Sequence, residues 1–341
     1  MGGGLLERLE QGPVICAEGY LFELERRGYV QAGPFVPEVV LDHPEVVTQL
    51  HRDFVHAGSD VVEAFTYYGH REKMRIVGKE HLLEPLNRQA LGLAKEVATE
   101  TGALVAGDIC NTNVYAEDDE SKRTVRGMFE EQVEWAADAD VDFVIAETFS
   151  HVGEALLALE AIKAAGLPAV VTMTQHRHPT TRDELTLAEA CKRLEDAGAD
   201  VVGLNCSRGP ATMLPTIRDI REAVSGHVAA LPVPYRTHDD EPTFQSIHDP
   251  ARPDDMAFPT ALDGLMCTRN EIAEFATEAH SIGVDYIGLC CGAGPHHVRA
   301  LAEAIGRTPP ASRYSPDMSK HAYFGTDESL KPENVEFAKD L

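Results

Sequence analysis

The stretch VDYIGLCCGAGPHHVRALAEAIG, residues 284–306, joins a short apolar run to a glycine-rich turn and then to a segment with helical periodicity. Such a unit is typical of a buried strand followed by a helix. Eight strand-like runs of this kind occur along the chain: PVIC (13–16), SDVVEAFT (59–66), ALVAGDI (103–109), VDFVIAE (141–147), PAVVTM (168–173), ADVVGLN (199–205), HVAALPV (227–233) and VDYIGLC (284–290). Helical segments separate them, among them 43–58, 84–102, 152–166, 186–198 and 270–283.

The alternation of these segments predicts the fold class. Strands that are apolar throughout and alternate with helices indicate a parallel sheet covered on both faces, and eight such units predict an α/β fold of the closed (β/α)8 TIM-barrel type. An open doubly wound sheet is the alternative, but the chain has neither a GxGxxG nor a GxxxxGK[ST] stretch to support a nucleotide site.

The barrel pattern predicts two parts, a barrel over residues 1–306 and a short C-terminal extension over 307–341. The extension begins with turn-forming residues, RTPPAS, and lies outside the alternating pattern. Two roles are open for it: it wraps the barrel, or it contacts another subunit and so allows a homo-oligomer.

Composition excludes several classes of partner. The chain has 30 Lys and Arg against 56 Asp and Glu, a formal charge of −26. A surface this acidic repels phosphate backbones and anionic lipids, so we expect neither nucleic acid nor a membrane as a partner. The start MGGGLLERLEQG has no basic region followed by an apolar run, and no stretch approaches membrane-spanning length, which predicts a cytoplasmic protein.

Three of the seven cysteines stand at predicted strand ends. Cys206 follows the sixth run, and Cys290 and Cys291 end the eighth. In a TIM barrel the chemistry lies at the carboxyl ends of the strands, so we expect the three thiols to converge from two neighbouring strand ends. Three thiolates with one open position match a zinc site, provided that Gly292 and Gly294 supply a turn. Buried small side chains and a vicinal disulfide are the alternatives.

The remaining cysteines receive no ligand role. Cys16 also ends a strand and is a candidate fourth ligand, although a place in the barrel wall is favoured. Cys110, Cys191 and Cys267 fall in predicted loop or helix contexts without partners. The odd number of cysteines argues against a disulfide framework.

At these motifs the sequence resembles a known family. The GLNC stretch ending at Cys206 and GLCCGAGPHHVRAL (288–301) resemble the cysteine motifs of the homocysteine S-methyltransferases, which are zinc-dependent (β/α)8 barrels. Segments 5–38 and 43–69 resemble the betaine–homocysteine branch, and the similarity extends to about residue 306. The resemblance implies that Cys206, Cys290 and Cys291 bind Zn²⁺.

The resemblance also implies the reaction and its substrate residues. It predicts transfer of a methyl group from glycine betaine to homocysteine, which gives methionine and dimethylglycine. Glu147, in IAETF, matches the family glutamate that holds the homocysteine amino group. Tyr68, in FTYYG, matches a tyrosine of the donor pocket, and Phe35 stands where the branch usually has tryptophan. Glu147 and Tyr68 are therefore the predicted catalytic residues, and aromatic faces such as these attract an onium group.

Departures from the branch leave the donor open. Ala17-Glu18-Gly19 replaces an Asp-Gly-Gly-like turn, so Glu18 is the candidate for the missing carboxylate contact, and Thr148 replaces a tyrosine after Glu147. The alternatives are a sulfonium donor, dimethylsulfoniopropionate or S-methylmethionine, and a non-catalytic barrel that binds zinc and a thiol.

Two further segments are assigned to the mouth of the barrel. The connection 235–259 is longer than a usual loop between strand and helix and predicts a lid or pocket wall that could add Tyr235, Phe244 or Phe258 to the aromatic set. QHRHP (175–179) follows the fifth run, where a loop lining the mouth is favoured over a second metal site.

Overall fold

Eight parallel strands form a closed barrel in the computed structural model, which describes residues 3–341. The described residues contain ten strands in all: β1 Val14–Ala17, β2 Val61–Glu63, β3 Leu104–Cys110, β4 Phe143–Phe149, β5 Ala169–Met173, β6 Val201–Asn205, β7 His227–Leu231, β8 His248–Asp249, β9 Arg252–Met256 and β10 Tyr286–Leu289. Strands β8 and β9 form a separate antiparallel hairpin, and the barrel order is β1-β10-β7-β6-β5-β4-β3-β2. Pairing of β1 with both β10 and β2 closes the barrel. The predicted TIM-barrel fold is confirmed.

Most of the helices cover the outside of the barrel. The helices are α1 Leu5–Gln11, α2 Tyr20–Arg26, α3 Val39–Asp42, α4 Pro44–Ala57, α5 Arg71–Ile76, α6 Leu83–Thr101, α7 Asp119–Asp138, α8 Val152–Ala164, α9 Leu187–Asp196, α10 Pro210–Ala223, α11 Arg269–Ser281, α12 Pro295–Ala304 and α13 Pro332–Phe337. Of these, α1 lies at the amino-terminal end of the barrel and α13 in the C-terminal tail. Within residues 3–341, no helix is both long and apolar enough to cross a membrane.

Helix α1 closes the amino-terminal end of the barrel. Its buried Leu5 and Leu9 belong to one apolar cluster with Val14, Leu104 and Tyr286, which are the first residues of their strands. Because this end is filled by packed side chains, a ligand can enter only from the carboxyl ends of the strands.

Local sequence determines where two helices that follow loops of the open end begin. Thr186 and Thr268 begin α9 and α11 with capping boxes, in which each threonine side chain accepts from the backbone of Glu189 or Glu271. Such caps satisfy N–H groups that the first helical turn leaves unpaired. The loops before these helices therefore have defined end points.

Residues after α12 form a largely exposed tail. It consists of short 3-10 turns and α13, and it carries seven exposed large apolar side chains: Tyr314, Met318, Tyr323, Phe324, Val335, Phe337 and Leu341. The division into a 1–306 barrel and a 307–341 extension stays a prediction, as does the oligomeric state.

Candidate metal and substrate site

The three predicted cysteine ligands lie together at the open end of the barrel. The Sγ atoms of Cys206, Cys290 and Cys291 are all within 4.8 Å of one another, and each cysteine is less than a tenth exposed. Their strands are not adjacent, because β7 lies between β6 and β10, which corrects the expectation of neighbouring strand ends. The end of β7 joins them instead: Cys206 N–H donates to Leu231 O at 3.0 Å and Cys290 N–H donates to Pro232 O at 2.9 Å.

The backbone at the cysteines takes unusual conformations that turn the thiols toward one point. Gly292 has φ 96°, and a Cβ there would collide with the Tyr235 hydroxyl. Cys206 itself has φ 57°, in the left-handed region that costs a non-glycine residue energy. Gly294 has an extended backbone at the start of α12, so only Gly292 of the two predicted glycines supplies a left-handed turn.

The thiols influence one another's ionisation. Hydrogen bonds from the Cys290 and Cys291 thiols hold the pKa of Cys206 well below its ordinary value. Burial, followed by the bond to Cys206, raises the pKa of Cys290. Cys206 is therefore the thiol of the three that ionises most readily, and a soft divalent cation would draw all three toward the ionised form.

Glu147 lies just below the cavity floor, where Asn205 and Thr148 hold it. Its Oε2 accepts hydrogen bonds from Asn205 Nδ2 and, at 3.0 Å, from Thr148 Oγ1. A register shift between Ala146 and Phe149 disturbs β4 at this point, and Thr148 has φ 64°. Such an irregularity re-aims side chains at the end of a strand.

Carboxylates surround Glu147, and two of them, Glu63 and Asp108, were not predicted from the sequence. Carboxyl oxygens of Glu63, Asp108 and Glu147 lie within 4.8 Å of one another, and Glu18, Glu147 and Cys290 form a second group of this kind. Burial first and the charge of Asp108 second raise the pKa of Glu18 to about 8, and burial raises the pKa of Asp108 to about 8. Burial and the charges of Glu18 and Asp108 likewise raise the pKa of Glu147.

A cavity of about 320 Å³ opens above Cys206 and Cys291. Cys206, Cys291 and Thr148 line its base, whereas Glu18 and Glu147 are not among its lining residues. The predicted donor residues Phe35 and Tyr68 both line its wall.

Aromatic side chains form one side of this cavity. Phe22, Phe35, Phe244 and Phe258 pack with ring centroids 5.5 to 6.4 Å apart in the contacting pairs. Phe244 and Phe258 come from the long 235–259 connection, as expected, but Tyr235 does not line the cavity. The ring of Tyr67 packs at a tilt against that of Tyr68, with centroids 4.4 Å apart, and Tyr67 also lines the cavity. The Lys73 ammonium lies 4.5 Å from the Tyr68 ring centre.

Strained backbone concentrates at the same cavity. Within residues 3–341, eight residues other than glycine have positive φ. Six of them line the cavity: Phe35, Tyr68, Asn113, Thr148, Cys206 and Ser207. Strain of this kind persists where surrounding structure over-determines it, and it clusters at functional sites.

The sequence matches a known protein family over most of its length. The family model for homocysteine S-methyltransferase matches residues 14–305. This chain belongs to the homocysteine S-methyltransferase family. The predictions of the family and of a methyltransferase are thereby confirmed.

Relatives within the homocysteine S-methyltransferase family divide between two named donors. The chain is 39% identical to the S-methylmethionine–homocysteine S-methyltransferase BHMT2 of Pongo abelii, over 96% of this chain and 88% of the relative. It is 38% identical to betaine–homocysteine S-methyltransferase 1 of Xenopus tropicalis, over 95% and 80%.

Solved structures support the fold of this family member. The homocysteine methyltransferase MmuM of Escherichia coli in its oxidised form matches with TM-score 0.67 and 18% identity, over 87% of this chain and 97% of that one. The metallated form of MmuM matches with the same score over 86% and 97%. At this identity the likeness concerns the barrel alone.

The other cysteines of this methyltransferase lie away from the three-thiol group. Cys16 is buried inside the barrel, with its Sγ 3.8 Å from Glu63 Oε2. Cys110 ends β3 and accepts a hydrogen bond from Tyr68 N–H at 3.3 Å, so the expectation of a loop or helix without partners is wrong for this residue. Its position at a strand end was the signal that could have placed it near Tyr68.

Asn205, Glu63 and Asp108 are the residues of this site that sequence reasoning missed. Each stands in an apolar strand, where a carboxylate or carboxamide is costly unless it has partners. A polar residue near the end of a predicted barrel strand was the available signal.

Proposed function

We propose that this homocysteine S-methyltransferase transfers a methyl group from glycine betaine to homocysteine, giving methionine and dimethylglycine, with Zn²⁺ held by Cys206, Cys290 and Cys291. The observation that carries the proposal is the convergence of three buried thiols at the base of a cavity with an aromatic wall. The thiols supply the metal's preferred ligand atoms, and the wall supplies a surface for an onium donor.

The three cysteine ligands fit zinc and leave one coordination position for a substrate sulfur. Three cysteine ligands with one open position are the pattern of a catalytic zinc site. Bound zinc would stabilise the homocysteine sulfur as a thiolate, the nucleophilic form of the group. The protein's own part is to hold the three thiols from the end of β7 and through the Gly292 turn.

Glu147 is the proposed partner of the homocysteine ammonium group. Asn205 and Thr148 fix its carboxylate below the base of the cavity. An ammonium beside it would favour the ionised carboxylate and offset the effect of burial. Glu18, the candidate replacement for the missing aspartate, lies near the same carboxylate, and an ammonium there would favour its ionised form as well.

Phe35 and Tyr68 are the proposed contacts of the donor's onium group. A methylated ammonium carries charge but no N–H group, so aromatic faces are its natural partners. In the reaction the carbon–nitrogen bond of one methyl group breaks, its electron pair stays on nitrogen, and a carbon–sulfur bond forms. The cavity must hold sulfur, methyl carbon and leaving nitrogen in line.

A sulfonium donor is the second candidate. The 39% identity to an S-methylmethionine enzyme favours it, and the aromatic wall suits sulfonium as well as ammonium. A non-catalytic barrel that binds zinc and thiol is the less favoured alternative, because a buried carboxylate beside the thiols serves to hold an amino acid.

Methionine formation tests the proposal directly. Zinc-loaded, reduced protein is supplied with homocysteine and, in parallel, with glycine betaine, dimethylsulfoniopropionate or S-methylmethionine. We expect the protein to prefer betaine. Activity with the sulfonium compounds only would show that the methyl donor is a sulfonium compound. Zinc binding without turnover would favour the non-catalytic barrel. Cys291→Ala should lose zinc and activity together, whereas Cys191→Ala, which removes a buried thiol in α9, should keep both.

A cytoplasmic location is part of the proposal. All seven cysteines are free of disulfides, which suits a reducing compartment.

A further inference from the structure

The cavity has a polar wall as well as its aromatic one. Ser150, His151, His176 and Arg182 line it beside Asn111, Asn113 and Gln245. The proposed methyl transfer uses the aromatic wall, the thiols and Glu147, and it gives the polar wall no role. The Arg182 guanidinium on this wall can bind an anionic group of a ligand.

Arg182 is held in an ordered loop between β5 and α9. Its backbone N–H donates to Ser150 O at 2.8 Å, and the neighbouring Asp183 carboxylate caps α8 by accepting from Val152 N–H at 2.7 Å. Ser150 Oγ in turn lies 2.9 Å from His176 Nε2. These bonds tie the loop that carries Arg182 to the end of β4.

The Arg182 guanidinium has no ion pair and no hydrogen bond to any residue of the part described, 3–341. Arginines such as Arg52, Arg71 and Arg236 each pair with glutamates. Arg177 and Arg193 share the lack of a partner among the described residues, but only Arg182 of these three lines the cavity. An unpaired arginine that lines a cavity presents a planar donor set suited to a carboxylate.

We infer that Arg182 binds the carboxylate of the methyl donor and so selects onium compounds that carry one. The inference rests on the proposed methyl transfer and names the substrate class of the same cavity. Betaine and its sulfonium counterparts have a cation at one end and a carboxylate at the other. The aromatic wall receives the onium end, and Arg182 receives the carboxylate at the rim.

Homocysteine also carries a carboxylate, but its position favours the donor as the partner of Arg182. The acceptor's sulfur and ammonium are assigned to the thiols and Glu147 at and below the base of the cavity. Arg182 is exposed at the mouth, where the second substrate would lie above the first.

The test compares two sulfonium donors that differ in the carboxylate. Dimethylsulfoniopropionate carries it, and ethyldimethylsulfonium has the same reacting centre without it. Arg182→Gln should raise KM for dimethylsulfoniopropionate and for betaine by roughly tenfold or more, because a hydrogen-bonded charge is lost. It should leave kcat/KM for ethyldimethylsulfonium and KM for homocysteine unchanged.

Arg177→Gln is the matched control, since Arg177 is exposed in the same loop and does not line the cavity. It should change none of these constants, and Arg182→Lys should recover part of the loss. Equal effects of Arg182→Gln on both sulfonium donors would overturn the inference, as would no effect on either or a rise in homocysteine KM alone. If none of the donors supports methylation of homocysteine by the wild-type protein, the proposed function itself fails. That outcome is distinguishable from a failure of the inference about Arg182.

Discussion

The carboxamide of Asn205, at the end of β6, donates a hydrogen bond to the carboxylate of Glu147, near the end of β4. The bond passes over β5, which lies between these two strands. Asn205 Oδ1 also accepts from Thr148 N–H at 2.9 Å and from Thr172 Oγ1 at 2.9 Å. Asn205 Nδ2 lies 3.9 Å from Cys290 Sγ. One buried side chain thus connects the proposed ammonium-binding carboxylate to the thiol group.

Asn205 should act as a positioning residue for the acceptor. Asn205→Ala removes the bond that fixes Glu147, so KM for homocysteine should rise roughly tenfold while KM for the donor stays constant. Zinc content is measured in the same samples. Retained zinc with an unchanged homocysteine KM would remove Asn205 from this role.

Glu147→Gln should separate substrate binding from metal binding. The substitution keeps the shape of the side chain but removes the charge that pairs with the ammonium, so homocysteine saturation should weaken by roughly tenfold to a hundredfold. Zinc should remain bound because all three thiols are intact. Steady-state kinetics with metal analysis checks both, and an unaltered half-saturation concentration would exclude Glu147 from the acceptor site.

Asp108 should make the zinc-free protein less stable as pH rises. Burial raises its pKa to about 8, whereas a carboxyl of the unfolded chain ionises near pH ~4. Between these values the folded protein holds a proton that the unfolded chain releases, so the free energy of unfolding falls with increasing pH. Asp108→Asn should flatten that decline, at roughly 1.4 kcal/mol for each pKa unit removed.

Urea unfolding of zinc-free protein at pH 5 and pH 8 measures this effect. Asp254→Asn, at an exposed position in the loop hairpin, is the control and should retain the wild-type pH dependence. If Asp108→Asn unfolds with the same pH dependence as the wild type, the buried Asp108 carboxyl is not protonated in the folded protein.

The aromatic wall should contribute to donor binding through its π faces. Phe35→Leu keeps an apolar side chain of similar size but removes the ring, so donor KM should rise about twofold to thirtyfold. Phe324→Leu, in the exposed tail, is the matched control. Comparable kinetics of the Phe35 and Phe324 variants would show that Phe35 makes no cation–π contact.

Much of this architecture could be predicted because it depends on local patterns. The eight apolar runs and the glycine-rich turn at Gly292 are local features, and each of the eight runs overlaps a barrel strand. The cysteine motifs could be assigned to the open end of the barrel for the same reason, because they stand at the ends of predicted strands. Contacts between distant segments could not be predicted from local sequence alone. Asn205 and Glu147 come together only in the closed sheet, where β5 separates β6 from β4.

The buried carboxylates illustrate the same limit. Glu18, Glu63 and Asp108 stand 45 residues apart at successive strands, and in a chain with 56 acidic residues neither Glu63 nor Asp108 is conspicuous. Their proximity follows from barrel register, which pairs Glu63 with Ala106 and Cys110 with Glu147. Arg182 was likewise hidden, because its lack of an ion pair is visible only in three dimensions.

The central claim is that the three thiols hold zinc and leave one position for the homocysteine sulfur. X-ray absorption at the zinc edge, recorded on zinc-loaded protein before and after addition of homocysteine, tests it most directly. We predict three sulfur ligands to zinc without homocysteine and four with it. A sulfur count that stays at three when homocysteine saturates the protein would contradict the account.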